Sequence, residues 1–155
     1  MRSPEIIAYE PSYQSQLEAF FREVWQQSRF PFDPEGAHSD LRNIPTQYQV
    51  NGGGFWLMCQ SDQIVGTVAI RRLAADVAEV KRLNVTADHR GCGFGDRLFQ
   101  HALAHATTIG YRTIRLDTVR DAGPALHLFQ KYGFVEIPRY NDNPAADLFM
   151  ELRHA

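Results

Sequence analysis
The chain has 155 residues, 44% of them hydrophobic, and a formal charge of −2, which suits a single domain (residues 1–155) with its own core. That charge offers no basic field for nucleic acid or an anionic membrane surface, and no run approaches the roughly 18 apolar residues that span a bilayer. Two cysteines, Cys59 and Cys92, fall in different segments and match neither a metal nor a disulfide framework, which points to a reduced, cytoplasmic protein.

In chain order, Glu5 to Tyr9 reads as a short apolar strand ended by Pro11, and Glu5 breaks the basic-then-apolar layout of a secretion signal. Ser12 stands where it can cap a helix in which Tyr13, Leu17, Phe20, Phe21, Val24 and Trp25 recur at helical spacing. That stripe reads as a core face. Phe30-Pro-Phe-Asp-Pro34 forces a loop, and Ser39 to Tyr48 predicts short helical turns interrupted near Pro45. Gly52-Gly-Gly54 ends them; Phe55 to Gln60 then pairs with Ile64 to Arg71 as a hairpin. Arg71 and Arg72, at the strand end, are expected to face solvent. Ala78 to Val85 is the next strand, and Phe94 to Ile109 is the main helix, with Gly110 suited to a left-handed cap. Thr113 to Thr118 must run parallel to Ala78–Val85, because a helical crossover joins them. Ala125 to Phe134 is a helix closed by Gly133-Phe134 and followed by another strand, and Leu148 to Arg153 alternates as a last one. The expected fold is α/β, a mixed, strongly twisted sheet of six to seven strands flanked by about four helices.

The most informative stretch is Val80-Lys-Arg-Leu-Asn-Val85 with Arg90-Gly-Cys-Gly-Phe-Gly95, a strand running into a glycine-rich turn that opens a helix. Glycines on alternate positions let backbone N–H groups crowd around an anion without Cβ clashes. The helix start adds unpaired donors and partial positive charge, and Arg90 adds a forked, permanent one. The pattern is a diphosphate cradle. It is not a dinucleotide loop, because Asp96 stands where G-x-G-x-x-G needs its last glycine. It is not a P-loop either, because no lysine or hydroxyl residue follows Gly95. By itself, the same turn serves a tight strand-to-helix connection equally well.

Arg90-x-x-Gly93-x-Gly95 resembles motif A of the GNAT (GCN5-related) N-acetyltransferases. The segment Ala125-Leu-His-Leu-Phe-Gln-Lys-Tyr-Gly-Phe134 resembles the family's motif B, and Ile64 to Ile70 resembles the strand before the cofactor strand. The resemblance covers essentially the whole chain in order and spacing. It implies the GNAT fold with a splayed parallel strand pair, acetyl-CoA as cosubstrate without a metal, and direct transfer of acetyl to a primary amine with no covalent enzyme intermediate. It also implies the cofactor-binding set Leu83, Asn84, Val85, Arg90, Gly91, Cys92, Gly93, Phe94, Gly95 and Asp96. Backbone groups of Leu83 and Val85 would hold the pantetheine arm, and the Leu83 N–H would meet the developing oxyanion. Cys92 would fill space in the turn rather than act as a nucleophile.

Two catalytic candidates follow from the resemblance. Glu79 stands where several members place a carboxylate that draws off the amine's proton. Lys81, two residues on and on the same strand face, would instead tie Glu79 into an ion pair; both readings stay open. Phe129 occupies the position of the family's usual tyrosine acid, which leaves Tyr132 or water to protonate the departing thiolate, with helix-end packing as the other reading for Tyr132. Ala122 departs from a common asparagine that touches pantetheine. His101 and His105, at helical spacing, read with Arg97 as a solvated face rather than a metal site.

The acceptor wall is expected from Phe30, Phe32 and Tyr140, with Asp33, Tyr48 and Asp142 nearby, a set suited to a small-molecule or peptide amine. The alternative reading is a GNAT-like acetyl-CoA-binding domain with weak or regulatory activity, and a plain α/β interaction module stands further off. A homodimer is compatible with the fold and demanded by nothing in the sequence.

Overall fold
In the computed structural model, which describes residues 3–154, alternating hydrophobic segments assemble one seven-stranded sheet with helices on both faces. The elements are β1 (Glu5–Ala8), α1 (Gln14–Trp25), α2 (Ile44–Gln47), β2 (Gly54–Gln60), β3 (Gln63–Ala74), β4 (Val77–Val85), α3 (Phe94–Ile109), β5 (Thr113–Thr118), α4 (Pro124–Lys131), β6 (Val135–Ile137) and β7 (Leu148–Arg153). Strand order across the sheet is β1-β2-β3-β4-β5-β7-β6, antiparallel except for the β4–β5 pair. The helical crossover therefore gives the parallel pair expected of it, and the mixed sheet matches the predicted class.

β3 is buried continuously from Ile64 to Ile70, because helices cover both of its faces. On one face α3 and α4 pack Leu98, Phe99, Ala102 and Phe129 against Met58, Val68, Ile70 and Val80. On the other, α1 sets Leu17, Phe20 and Phe21 against Phe55, Leu57 and Ala69. Gly66 marks how closely α3 rides on β3: a Cβ there would lie 2.6 Å from Leu98 Cδ1.

Three local expectations are corrected. Ser12 caps nothing; it lies inside a 3-10 turn, Pro11–Tyr13, and α1 starts after it with no side-chain cap. Pro45 does not interrupt the helical turns but opens α2, where its missing N–H has no partner to lose, and the break falls at Asn43. His101 and His105 are half-buried, not solvated: both rings meet Trp56 edge-on, with centroids at 5.0 and 4.8 Å.

Candidate active site
β4 and β5 are neighbours only from Val77 opposite Thr113 to Glu79 opposite Arg115. Beyond that, β5 stays with β7 to Thr118 while β4 stays with β3 to Val85, so the two backbones part. Past Glu79 the β5-facing edge of β4 has no strand partner. A bulge lies on the parting strand: Thr67 faces Asn84 but Ala69 faces Lys81, so β4 carries one residue more than β3 there. Arg82 absorbs it with a φ of 57°, rare for a residue with a Cβ, and its carbonyl accepts Thr67 Oγ1 at 2.7 Å. The opening is a cleft of about 710 Å³ that reaches both faces of the sheet, with Phe129 of α4 lining it from one side and Trp25 of α1 from the other.

The glycine turn and the start of α3 form one end of this cleft. Gly91 and Gly93 have φ of 78° and 80°, and a Cβ on either would touch nothing, so conformation rather than crowding calls for glycine. Gly93 is the N-cap of α3 and no side chain caps the helix, which leaves the first-turn N–H donors of Phe94, Gly95 and Asp96 without intrahelical partners. The Arg90 side chain is exposed and has no polar partner among the described residues. A methyl on Gly95 would meet only Val85 Cγ2, at 3.9 Å, so packing does not demand glycine there. The Asp96 carboxylate does not cap its helix; Lys131, Tyr132 and Gln100 all donate to it, and those bonds, Lys131's first, hold it below the ordinary carboxylate range. This end of the cleft thus presents backbone donors and a free guanidinium, the donor set that fits a diphosphate.

Behind the opposite end lie side chains that the β period places on the α1 face; Lys81, Asp117 and Asn143 line the cleft there. Arg71, Glu79, Arg115 and Glu151 are cross-strand neighbours in one row of alternating charge. Arg71 Nη2 lies 2.7 Å from Glu79 Oε1, and Arg115 Nε lies 3.0 Å from Glu151 Oε1. Tyr140 donates to the other Glu79 oxygen at 2.5 Å, with the Arg115 guanidinium 5.4 Å from its ring centroid. Burial, reinforced by the Glu79 charge, pushes the Tyr140 phenol far above its ordinary value, so it stays a donor. One step further along the strands, where the backbones have separated, Lys81 Nζ reaches Asp117 Oδ1 at 3.4 Å. Asn141 and Asn143 donate to Asp117 Oδ2 at 2.7 and 3.3 Å. Burial pushes the Asp117 carboxyl up, but Lys81 and the two amides outweigh it and keep it ionised.

Of the expected cofactor residues, Leu83, Asn84, Val85, Arg90, Gly91, Gly93, Phe94, Gly95 and Asp96 line the cleft; Cys92 points elsewhere, exposed in the turn. Glu79 is buried at the apex of the parting strands and does not line it. Its ion-pair partner is Arg71, directly opposite in register, and not Lys81, which crosses to Asp117; Arg71 is therefore half-buried rather than solvent-facing. Tyr132 donates to Asp96 and accepts from Gln100 Nε2 at 2.7 Å, off the cleft lining. Phe30 is exposed, Phe32 packs on Trp25 and His38, and Tyr140 reaches Glu79; none of the three lines the cleft. Tyr48 is core, its hydroxyl bonded to Asp40.

Sequence reasoning missed Trp25, Asp117 and Asn143, which do line it. Trp25 carries the same helical spacing as the core residues of α1, so periodicity alone cannot lift it out. Asp117 had a readable signal: it lies two residues past Arg115 on the parallel strand, hence on the same face.

A sequence model of the acetyltransferase (GNAT) family matches residues 17–134. The chain belongs to the GNAT family. N-acetyltransferase 8 of Mus musculus is 34% identical over 103 residues, covering 63% of this chain and 45% of that protein. N-acetylaspartate synthetase of Danio rerio is 26% identical over 128 residues, covering 76% and 45%. The chain spans about half the length of the curated relatives it matches. A GNAT acetyltransferase from Staphylococcus aureus Mu50 shares the fold at a TM-score of 0.88 and 24% identity, over 97% of this chain and 99% of that one. The PaiA N-acetyltransferase of Thermoplasma acidophilum, solved in complex with coenzyme A, does so at 0.75 and 19%, over 99% and 100%. The parallel pair of this GNAT chain is thus β4–β5, which parts beyond Glu79, and the turn Arg90–Gly95 lies at one end of the gap.

Proposed function
We propose that this GNAT chain is an acetyl-CoA-dependent N-acetyltransferase that moves acetyl to a primary amine of a small molecule or peptide by direct attack. One observation carries the reading: the β4–β5 pairing ends at Glu79 and Arg115, and the gap leads straight to the uncapped, glycine-rich start of α3. Turn amides of residues 91 to 96 and the Arg90 guanidinium would take the diphosphate, with no metal assisting. The unpaired β4 edge around Leu83 and Val85 would hold the pantetheine amides as a strand holds its neighbour. Bound acetyl-CoA supplies an activated thioester carbonyl; the protein orients it and handles protons. Because neither side chain lines the cleft, the acceptor's proton would pass through a bridging water to the Tyr140 hydroxyl and on to the Glu79 carboxylate it is bonded to. Phe32 serves the acceptor wall through Trp25, and Phe30 through the exposed rim. Tyr132 fixes Asp96 rather than delivering a proton.

A second reading, an acetyl-CoA-binding domain with weak or regulatory activity, is favoured by one observation. The cleft carries the phenyl ring of Phe129 at the position where the family resemblance implies a tyrosine hydroxyl, and the Tyr132 hydroxyl is already engaged by Asp96. No helix among the described residues is long and apolar enough to cross a membrane, and a cytoplasmic enzyme is consistent with two free thiols. Calorimetric titration tests both readings: saturable heat with acetyl-CoA is expected, and its absence at millimolar cofactor overturns them together. Thiol release against polyamines, aminoglycosides, amino acids and peptide N-termini then separates enzyme from binder.

A further inference from the structure
Of the 16 basic residues of this chain, only Lys81 and Lys131 are lysines; the other fourteen are arginines. Arginine holds its charge and is not an acyl acceptor at neutral pH, so the chain carries just two side-chain amines. They occupy opposite environments. Lys131 sits on α4 with its side chain 60% exposed and paired to Asp96. Lys81 is 14% exposed, lines the cleft itself, and stands on the first same-face position after β4 and β5 part.

Among the described residues, one group restrains its ammonium. Ala69 lies opposite on β3, and Glu79, two residues earlier, is occupied by Arg71 and Tyr140. Next along β4, Arg82 is turned away by the bulge and paired to Asp40. What remains is Asp117, at 3.4 Å, a separation longer than the 2.7 Å of the Arg71–Glu79 and Arg82–Asp40 pairs. Asp117 is itself 7% exposed and pinned by Asn141 and Asn143, so the carboxylate stays while the flexible lysine stem can leave it.

We propose that Lys81 is a self-acetylation site of this protein, with Asp117 as the positioning residue that holds the amine back by pairing with it. The proposal rests on acetyl-CoA binding in the cleft, as inferred above. When the ammonium loses its proton, the Nζ lone pair attacks the thioester carbonyl carbon. The N–C bond forms, the C–S bond breaks, the thiolate leaves as coenzyme A thiol, and the net product is one neutral amide and one released proton. The amide no longer pairs with Asp117, and it places an acyl group in the gap where an external amine would enter. Asp117 thus protects the gap in the absence of an acceptor.

Peptide-resolved mass spectrometry of the intact protein, incubated with acetyl-CoA and no acceptor, tests this. Expected is an acetyl adduct on Lys81 that exceeds the one on Lys131, although Lys131 is far more exposed. Asp117→Asn, nearly isosteric, removes the charge that ties the amine down and raises the Lys81 rate several-fold. Lys81→Arg abolishes that adduct and leaves the one on Lys131. An adduct on Lys131 equal to or larger than that on Lys81 in the unmodified protein means ordinary surface chemistry and overturns the proposal; this comparison needs no variant to fold. No Lys81 adduct in a preparation that binds coenzyme A by calorimetry overturns it too, leaving the proposed function standing. Absence of coenzyme A binding in the same preparation removes both.

Discussion
Arg82 grips Asp40 with two hydrogen bonds, Nε to Oδ2 at 3.1 Å and Nη2 to Oδ1 at 2.7 Å, across 42 residues of sequence. The same Asp40 oxygen that takes Nε accepts the Tyr48 hydroxyl at 2.5 Å, and the guanidinium lies 5.7 Å from the Trp25 ring centroid. The left-handed bulge that bends β4 is therefore tied to the segment that carries α2 and to the aromatic wall of the cleft. Burial pushes the Asp40 carboxyl up, but the Arg82 charge and the hydrogen bonds from Arg82 and Tyr48 outweigh it and hold it below its ordinary value.

Removing one partner leaves the other charge half-buried and alone. Arg82→Ala or Asp40→Ala should each cost about 3 kcal/mol in denaturant unfolding, and the double variant less than their sum. Arg82→Lys keeps the charge and loses the fork, so it should fall between. A cost near zero for Asp40→Ala rejects the tie.

His38 supplies a pH dependence of definite sign. It is stacked on Trp25, with centroids 4.4 Å apart, and its Nδ1 accepts the Asp33 N–H at 2.9 Å, so the folded form requires a neutral ring. Burial, and then the Arg82 charge, lower its pKa below the ordinary 6.5. A group lowered in this way is neutral in both states well above pH 6.5. As pH falls below that value the unfolded chain binds a proton first, so stability declines until the folded value is passed. Melting temperature should therefore drop between pH 7 and pH 5, and His38→Phe, which keeps a ring in the stack, should flatten that part of the curve. An equally steep curve in the variant assigns the slope to carboxylates instead.

Sheet, helices and glycine turn were legible because each is written locally: β3 as an apolar run, α1 and α3 as 3.6-residue stripes, Arg90–Gly95 as a spacing. The parallel pair followed from the crossover alone. What stayed hidden depends on register between distant segments. Lys81 stood as the candidate ion-pair partner of Glu79 because both lie on one strand face, yet Arg71 is directly opposite and the splay turns Lys81 to Asp117. Tyr132 read either as a substitute acid or as helix-end packing because its partner, Asp96, lies 36 residues away. Residues 138–147 carry no periodicity, so nothing local announced that Tyr140 would reach Glu79 or Asn143 the cleft.

The glycines of the turn should separate by role. Gly91→Ala and Gly93→Ala force a Cβ into a left-handed backbone and should destabilise by about 1–2 kcal/mol each. Gly95→Ala meets no such strain and only Val85 at 3.9 Å, inside a helix that alanine favours. Its melting temperature should hold or rise while coenzyme A affinity by calorimetry weakens about tenfold, roughly 1.4 kcal/mol. Unchanged affinity in Gly95→Ala places the diphosphate elsewhere.

Glu79 is buried behind the apex of the parting strands, off the cleft lining, and Tyr140 donates to it at 2.5 Å. If the two relay a proton as one unit, Tyr140→Phe and Glu79→Gln should lower turnover by comparable factors, about 10²-fold or more, and the double variant should fall no further than the worse single one. The acidic limb of the pH–rate profile should move in Glu79→Gln, because the group that must be ionised is gone. Tyr132→Phe, by contrast, loosens Asp96 and should leave turnover intact. Three outcomes would reassign the chemistry: an unmoved acidic limb in Glu79→Gln removes that carboxylate as the base, additive losses in the double variant separate the two residues, and a collapse of turnover in Tyr132→Phe returns the proton donor to the α3–α4 side of the cleft.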